Sequence, residues 1–192
     1  MTREEWLTKI KEKLEQLFFN APPHKLPSKL ALSCGIPKGS SKAIGQCWDP
    51  RVSKDKTTHI FVCPSLDDPV QVVGVLLHEL IHACLGLHEG HGKNFAKFIR
   101  KVGLVGKVTS TYVKEGSELE SQIKQILEEV GGYPHQAMNK QGALRAKRQP
   151  VKRRVTLVST VDPDYALSIS IKVLEGLGAP KDPWDKTMVI KE

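Results

Sequence analysis

A chain of 192 residues, 40% hydrophobic and 26% charged, can bury one good core plus a small appendage, which argues against a larger multidomain protein. No run approaches 18 apolar residues and the N-terminus is charged from Arg3 onward, so neither a membrane span nor a signal peptide is expected. An intracellular protein follows, cytoplasmic or associated with nucleoid or nucleus, not secreted and without a membrane partner; Cys34, Cys47, Cys63 and Cys84 form no CxxC pair and are expected as reduced thiols.

Thr2 and Glu5 form a capping box for an amphipathic helix whose apolar face is Trp6, Ile10, Leu14, Leu17 and Phe18. Three short strand-like runs follow, 29–32, 43–47 and 59–63, separated by Pro, Gly and Ser; they predict a small antiparallel sheet. The strand at 59–62 is expected to offer an edge for pairing with an extended chain. His24, His59 and His135 are isolated and read as ordinary surface or strand histidines.

Asp68-Pro69-Val70-Gln71 supplies an N-cap, a proline at N1 and a capping-box glutamine for the next helix. About two turns inside it, residues 78–82 read His-Glu-Leu-Ile-His, the HExxH pattern. From Val72 to Leu87 the charged or imidazole side chains are His78, Glu79 and His82 alone, three groups that are costly to bury unpaired in an otherwise apolar helix. Histidines four apart lie one above the other, so His78 and His82 can reach one ion at roughly 2.0–2.1 Å. Glu79 is one step round the helix, outside the ligand set, where its carboxylate can take a proton from an activated water and return it to a leaving amine.

Two residues compete as third ligand. His88 has the spacing of the metzincin pattern HExxHxxGxxH, but Leu85 stands where that pattern needs glycine. His91 begins His91-Gly92-Lys93-Asn94-Phe95, followed by Phe98, Ile99, Val102 and Leu104 at helical spacing. Further on, 108–113 reads as a short strand, and Gly116-Ser117 opens a helix carrying Leu119, Ile123, Ile126, Leu127 and Val130 before Gly131-Gly132. Lys140, Arg145, Lys147, Arg148, Lys152, Arg153 and Arg154 then follow with no intervening acid, seven charges that nearly equal the net +8 of the chain. Such a run can be merely a solvated linker, but clustered cations also bind phosphates with strong salt dependence, so this is the stretch expected to meet DNA if a nucleic acid is the partner. In the tail Leu167, Ile169, Ile171 and Val173 alternate with polar residues, a half-buried strand signal.

HExxH, a short turn over Gly86 to Gly90, and then HG-x-x-F opening a helix resemble the SprT-like, or Spartan, family. The order of helix, small sheet, HExxH helix and HG helix is similar to that family's domain. The resemblance implies an α+β, zincin-like fold, with His91 as third ligand beside His78 and His82, one Zn2+ per chain, Glu79 as catalytic residue and Phe95 as a packing residue. It further implies proteolysis of protein substrates, including proteins trapped or cross-linked on DNA, and hence DNA repair.

In the tail, Asp164-Tyr165, 170–176 and Ala179-Pro180 resemble the landmarks of the family's C-terminal zinc ribbon, with Thr160 and Pro163 where the first cysteine pair would stand. No cysteine lies beyond Cys84, so the resemblance implies a lapsed ribbon held by apolar packing, in which Tyr165 and Trp184 could stack on bases. The expected organisation is a metalloprotease domain over 1–135, a basic linker over 136–154 and a small β-rich module over 155–192. The rival reading is a nucleic-acid-associated binding protein whose metal site is structural or catalytically weak.

Overall fold

The computed structural model describes residues 1–36, 43–138 and 153–191, which belong to two compact units, Met1–Gly142 and Ala143–Glu192. Both are built from helices and small sheets, an α+β architecture.

The first unit opens with α1 (Arg3–Phe18), whose N-cap Thr2 and N3 Glu5 form the reciprocal capping box. Trp6, Leu7, Ile10 and Leu14 face the core. Leu17, expected on that face, is 47% exposed; the helix ends at Phe18, and Phe19 turns inward to be buried in its place. Two short hairpin strands, β1 (Asn20–Ala21) and β2 (His24–Lys25), precede the main sheet of β3 (Leu30–Cys34), β4 (Gly45–Trp48) and β5 (Thr58–Val62). That sheet is mixed rather than antiparallel. Its order is β3-β5-β4, with β5 parallel to β3 and antiparallel to β4. The expected edge at 59–62 is therefore the central strand, and among the described residues β4 lies at the sheet's end.

Helix α2 (Pro69–Leu85) starts on the Asp68 side chain, which accepts the Gln71 N–H at 2.6 Å, and on Pro69 at its first position. Val72, Val73, Leu76, Leu77, Leu80 and Ile81 are fully buried, so apolar side chains surround it on nearly all sides, as in a core helix. It packs against α1, β4 and β5, and against α3 (Lys93–Lys101), α4 (Glu118–Val130) and the strand β7 (Ser110–Val113), whose hairpin partner β6 (Leu104–Lys107) packs on α3. Leu104, expected to continue a helix, instead opens β6, because Gly103 adopts a positive φ just after the C-cap at Val102 and β6 pairs back on β7. The α4 boundaries agree with the sequence signals, with Ser117 as N-cap and Gly131 as C-cap. Residues 136–138, expected in the linker, still lie on this unit: Arg3 Nη2 donates to the Gln136 carbonyl at 2.8 Å, and the Met138 N–H to the Pro64 carbonyl at 2.8 Å.

The second unit is a three-stranded antiparallel sheet in the order β10-β8-β9, from β8 (Arg154–Val158), β9 (Ala166–Ser170) and β10 (Val189–Ile190), with one helix, α5 (Ile171–Leu177). The strand expected to run through Val173 stops at Ser170, which becomes the N-cap of α5, and Gly178 ends that helix. Leu157 and Met188 are buried beside a polar pair. The Ser159 hydroxyl donates to Asp182 Oδ2 at 2.5 Å and accepts the N–H groups of Val161 and Asp162; Asp182 Oδ1 accepts those of Trp184 and Lys186. Two turns are thereby joined through one buried hydrogen bond. The first is organised on Ser159, one residue before the Thr160 position expected to stand for a ribbon cysteine. Among the described residues no helix is long and apolar enough to cross a membrane.

Candidate metal centre

Three imidazoles converge at the end of the core helix. His78 and His82 project from one side of α2 with ring centroids 5.1 Å apart. The third arrives through a tight turn. Gly86 caps α2, residues 87–89 form a single 3-10 turn, and Gly90 takes φ 53, a left-handed conformation that side chains disfavour, which sends the chain back toward the helix. His91 then lies with its Nε2 3.2 Å from Nε2 of His82. Phe95, fully buried one turn into α3, stacks on His82 at 4.2 Å and meets His78 and His91 edge-on at 5.0 Å. It forms the floor on which all three rings rest.

The ligand atoms of His78, His82 and His91 all lie within 4.8 Å of one another, the one group of three or more metal-ligating side chains found among the described residues. Tetrahedral bonds of 2.0–2.1 Å imply roughly 3.3 Å between ligand nitrogens. The His82–His91 pair already has that spacing. His78 is oriented from behind: its Nδ1 lies 2.8 Å from Thr111 Oγ1 on β7, leaving Nε2 for an ion. Burial holds His78 down to about 4, helped by His91, and His82 down to about 3, helped by His78 and His91. The His78 and His82 rings are therefore neutral at pH 7 and offer lone pairs, the form a metal needs. Donor type, number and spacing fit a divalent ion held by three nitrogens.

His88 is not part of this group. Its ring packs over Gly86, beside Asp49 and Arg51, and the side chain is exposed.

Glu79 is 7% exposed and points between α2 and β4. Its carboxylate accepts the backbone N–H of Cys47, and a Cβ at Gly45 would stand only 2.5 Å from its Oε1. A side chain at position 45 could not coexist with this placement. Burial pushes the Glu79 carboxyl up to about 8, against the pull of the Cys47 N–H. In front of it is a cleft of about 360 Å³ lined by Gly45, Cys47, His78, Glu79, His91 and Thr111. The histidines thus have protein on one side and open space on the other, the arrangement that leaves a coordination position for water or substrate.

Thr111, Gly45 and the Cys47 backbone were not singled out by sequence reasoning. They come from the β6–β7 hairpin and from β4, each about thirty residues from the motif. The four cysteines are free, and Cys84 is half-buried on the last turn of α2. Of the basic residues proposed to meet DNA, Lys140, Arg145, Lys147, Arg148 and Lys152 lie outside the described residues. Arg153 is exposed, whereas Arg154 is the first residue of β8 and donates to the Ser168 hydroxyl and carbonyl at 3.1 and 2.6 Å. Tyr165 and Trp184 are 41% and 48% exposed and touch each other edge-on at 6.1 Å. Compared with family models, curated proteins and solved structures, the chain matches none of them. The centre therefore stands on its own geometry: three histidines that could hold a metal ion, with a buried glutamate at the edge of the cleft.

Proposed function

We propose that the chain is a zinc-dependent endopeptidase of the SprT-like type, with His78, His82 and His91 holding the ion and Glu79 moving the proton. The observation that carries this reading is the joint placement of three facing imidazoles and one carboxylate around a cleft beside β4. When bound, zinc supplies a Lewis acid that polarises a carbonyl and brings the pKa of a water toward about 7. Burial alone favours the protonated form of Glu79, and the charge of a cation held beside it would favour the carboxylate; in that form Glu79, fixed by the Cys47 N–H, accepts the proton of the attacking water and delivers it to the nitrogen of the leaving amine. Thr111 orients His78, and Phe95 keeps the three rings from splaying.

The cleft beside β4 has room for an extended substrate segment, so loosened or damaged proteins are the natural substrates. A setting near DNA, where cross-linked proteins would be removed, rests on the family resemblance and on the basic stretch from Lys140 to Arg154.

The test is Glu79→Gln in the zinc-loaded protein, with cleavage of an unfolded protein followed by mass spectrometry. One zinc per chain should be retained, and cleavage should fall by ~10²–10⁴-fold, the usual range for a lost general base. Cleavage at the wild-type rate by the variant, or none by the zinc-loaded wild type, would leave the rival reading of a binding protein with a structural metal.

A further inference from the structure

Charge is distributed unevenly among the helices of the first unit. Helices α1 and α4 carry both signs and pair them: Lys11 with Glu15 at 3.0 Å, Lys13 with Glu129 at 2.5 Å and Lys124 with Glu120 at 2.9 Å. Helix α3 reads Lys-Asn-Phe-Ala-Lys-Phe-Ile-Arg-Lys, with four cations and no acid. Lys93, Lys97, Arg100 and Lys101 are all exposed, and among the described residues none of them makes an ion pair. The Lys101 ammonium lies 5.9 Å from the Phe98 ring centroid.

Like charges four apart on a helix repel, and α3 holds two such pairs, Lys93 with Lys97 and Lys97 with Lys101. The helix dipole accounts for Arg100 and Lys101, which lie in the last turn where cations are favoured. It opposes Lys93, at the first position of the helix, and is indifferent to Lys97. Local stability therefore does not explain this stripe.

Beside the stripe lies a cavity of about 530 Å³, lined by Pro23, His24, Glu89, Lys97, Phe98 and Lys101. His24 stacks on Phe98 with centroids 4.0 Å apart. Glu89, the one carboxylate in the lining, is already engaged by the Asn94 N–H and Nδ2, both at 3.1 Å. Glu89 keeps its charge, but among the described residues it forms no ion pair with Lys97 or Lys101, and the cations of the rim outnumber it.

We propose that the exposed face of α3, with the adjoining His24 cavity, docks the phosphate backbone of a nucleic-acid strand. Lys93, Lys97 and Lys101 repeat every four residues, about 6 Å along the axis, and present a row of cations to a chain of phosphates. An anionic membrane fits less well, because the apolar residues Phe95, Phe98 and Ile99 are buried in the core and the helix has nothing to insert. The surface is on the helix that directly follows His91, so a strand held there is brought to the same unit as the metal centre. This inference does not depend on the hydrolytic reading, and it is separate from the basic stretch at 140–154.

The experiment uses the full chain and a fluorescent single-stranded oligonucleotide, with anisotropy titrations at several salt concentrations. Lys93→Gln/Lys97→Gln/Lys101→Gln is compared with Lys9→Gln/Lys11→Gln/Lys13→Gln on α1, which removes the same net charge. The α3 variant should bind ~10-fold or more weakly with a salt slope shallower by about 2, and the α1 variant should stay close to wild type. Thermal unfolding checks that both are folded, and Lys97→Glu alone should weaken binding in the same direction. Equal losses in the two triple variants, or an absence of salt-dependent binding, would overturn the proposal. So would tighter binding to polyglutamate or phosphatidylserine vesicles than to the oligonucleotide.

Discussion

Both units bury polar side chains, but they do so to different ends. In the second unit Ser159 and Asp182 satisfy each other and the backbone N–H groups of two turns, so this buried pair is used within the fold. In the first unit His78, His82 and His91 turn ring nitrogens toward one another over Phe95, and Glu79 is drawn to the edge of an open cleft by a single backbone N–H. A polar group kept for stability ends in a closed network. One kept for chemistry ends at a surface where something else must complete it.

Substitutions at the two places should separate these roles. After Glu79→Gln, the largest effect is expected from Gly45→Ala, whose Cβ would stand 2.5 Å from Glu79 Oε1 and 2.7 Å from Val75 Cγ1 and must displace the carboxylate. Peptide cleavage should fall ~10²-fold, as expected for an angstrom-scale misplacement, while zinc stoichiometry stays at wild type. Zinc loss in this variant would mean that Gly45 supports the whole site and not Glu79 alone.

Thr111→Val comes next. It removes the hydrogen-bond partner of His78 Nδ1 and should weaken zinc binding by ~10-fold in a chelator competition, with Thr111→Ser restoring most of it. Equal affinity in the valine variant would show that packing alone orients the ring.

Asp182→Ala should not alter zinc affinity or cleavage at all. It should destabilise the second unit by about 1–3 kcal/mol, because Ser159 and two backbone N–H groups lose a buried acceptor. Limited proteolysis that opens this unit first, with the metal centre intact, checks the separation. A loss of zinc in this variant would break the contrast between the units.

Much of the site was legible because local chemistry and tertiary structure agree there. An apolar run broken only by HExxH can sit nowhere but in the core, and Asp68-Pro69 starts it at the right phase. The caps at Thr2, Ser117 and Gly131 were legible for the same reason, each resting on contacts within a few residues. What sequence reasoning missed depends on long-range pairing. The parallel β3–β5 pairing follows from a crossover that no local signal announces, and Thr111 meets His78 only after β7 has folded onto α2. At Leu104 and Ile171 the apolar spacing suits both helix and strand, and the decision falls to neighbours: the positive φ of Gly103 in one case and Gly178 closing α5 in the other. The cations of α3 were visible one by one, but that none of them makes an ion pair among the described residues became visible only with the structure.

The central claim is that His78, His82 and His91, and not His88, form a metal centre. Metal content of the purified protein, measured by mass spectrometry for wild type, His91→Ala and His88→Ala, tests it directly. One zinc per chain is expected in the wild type and in His88→Ala, and loss of zinc in His91→Ala. Zinc that survives His91→Ala but is lost with His88→Ala, or a wild-type protein that takes up no metal, would contradict it.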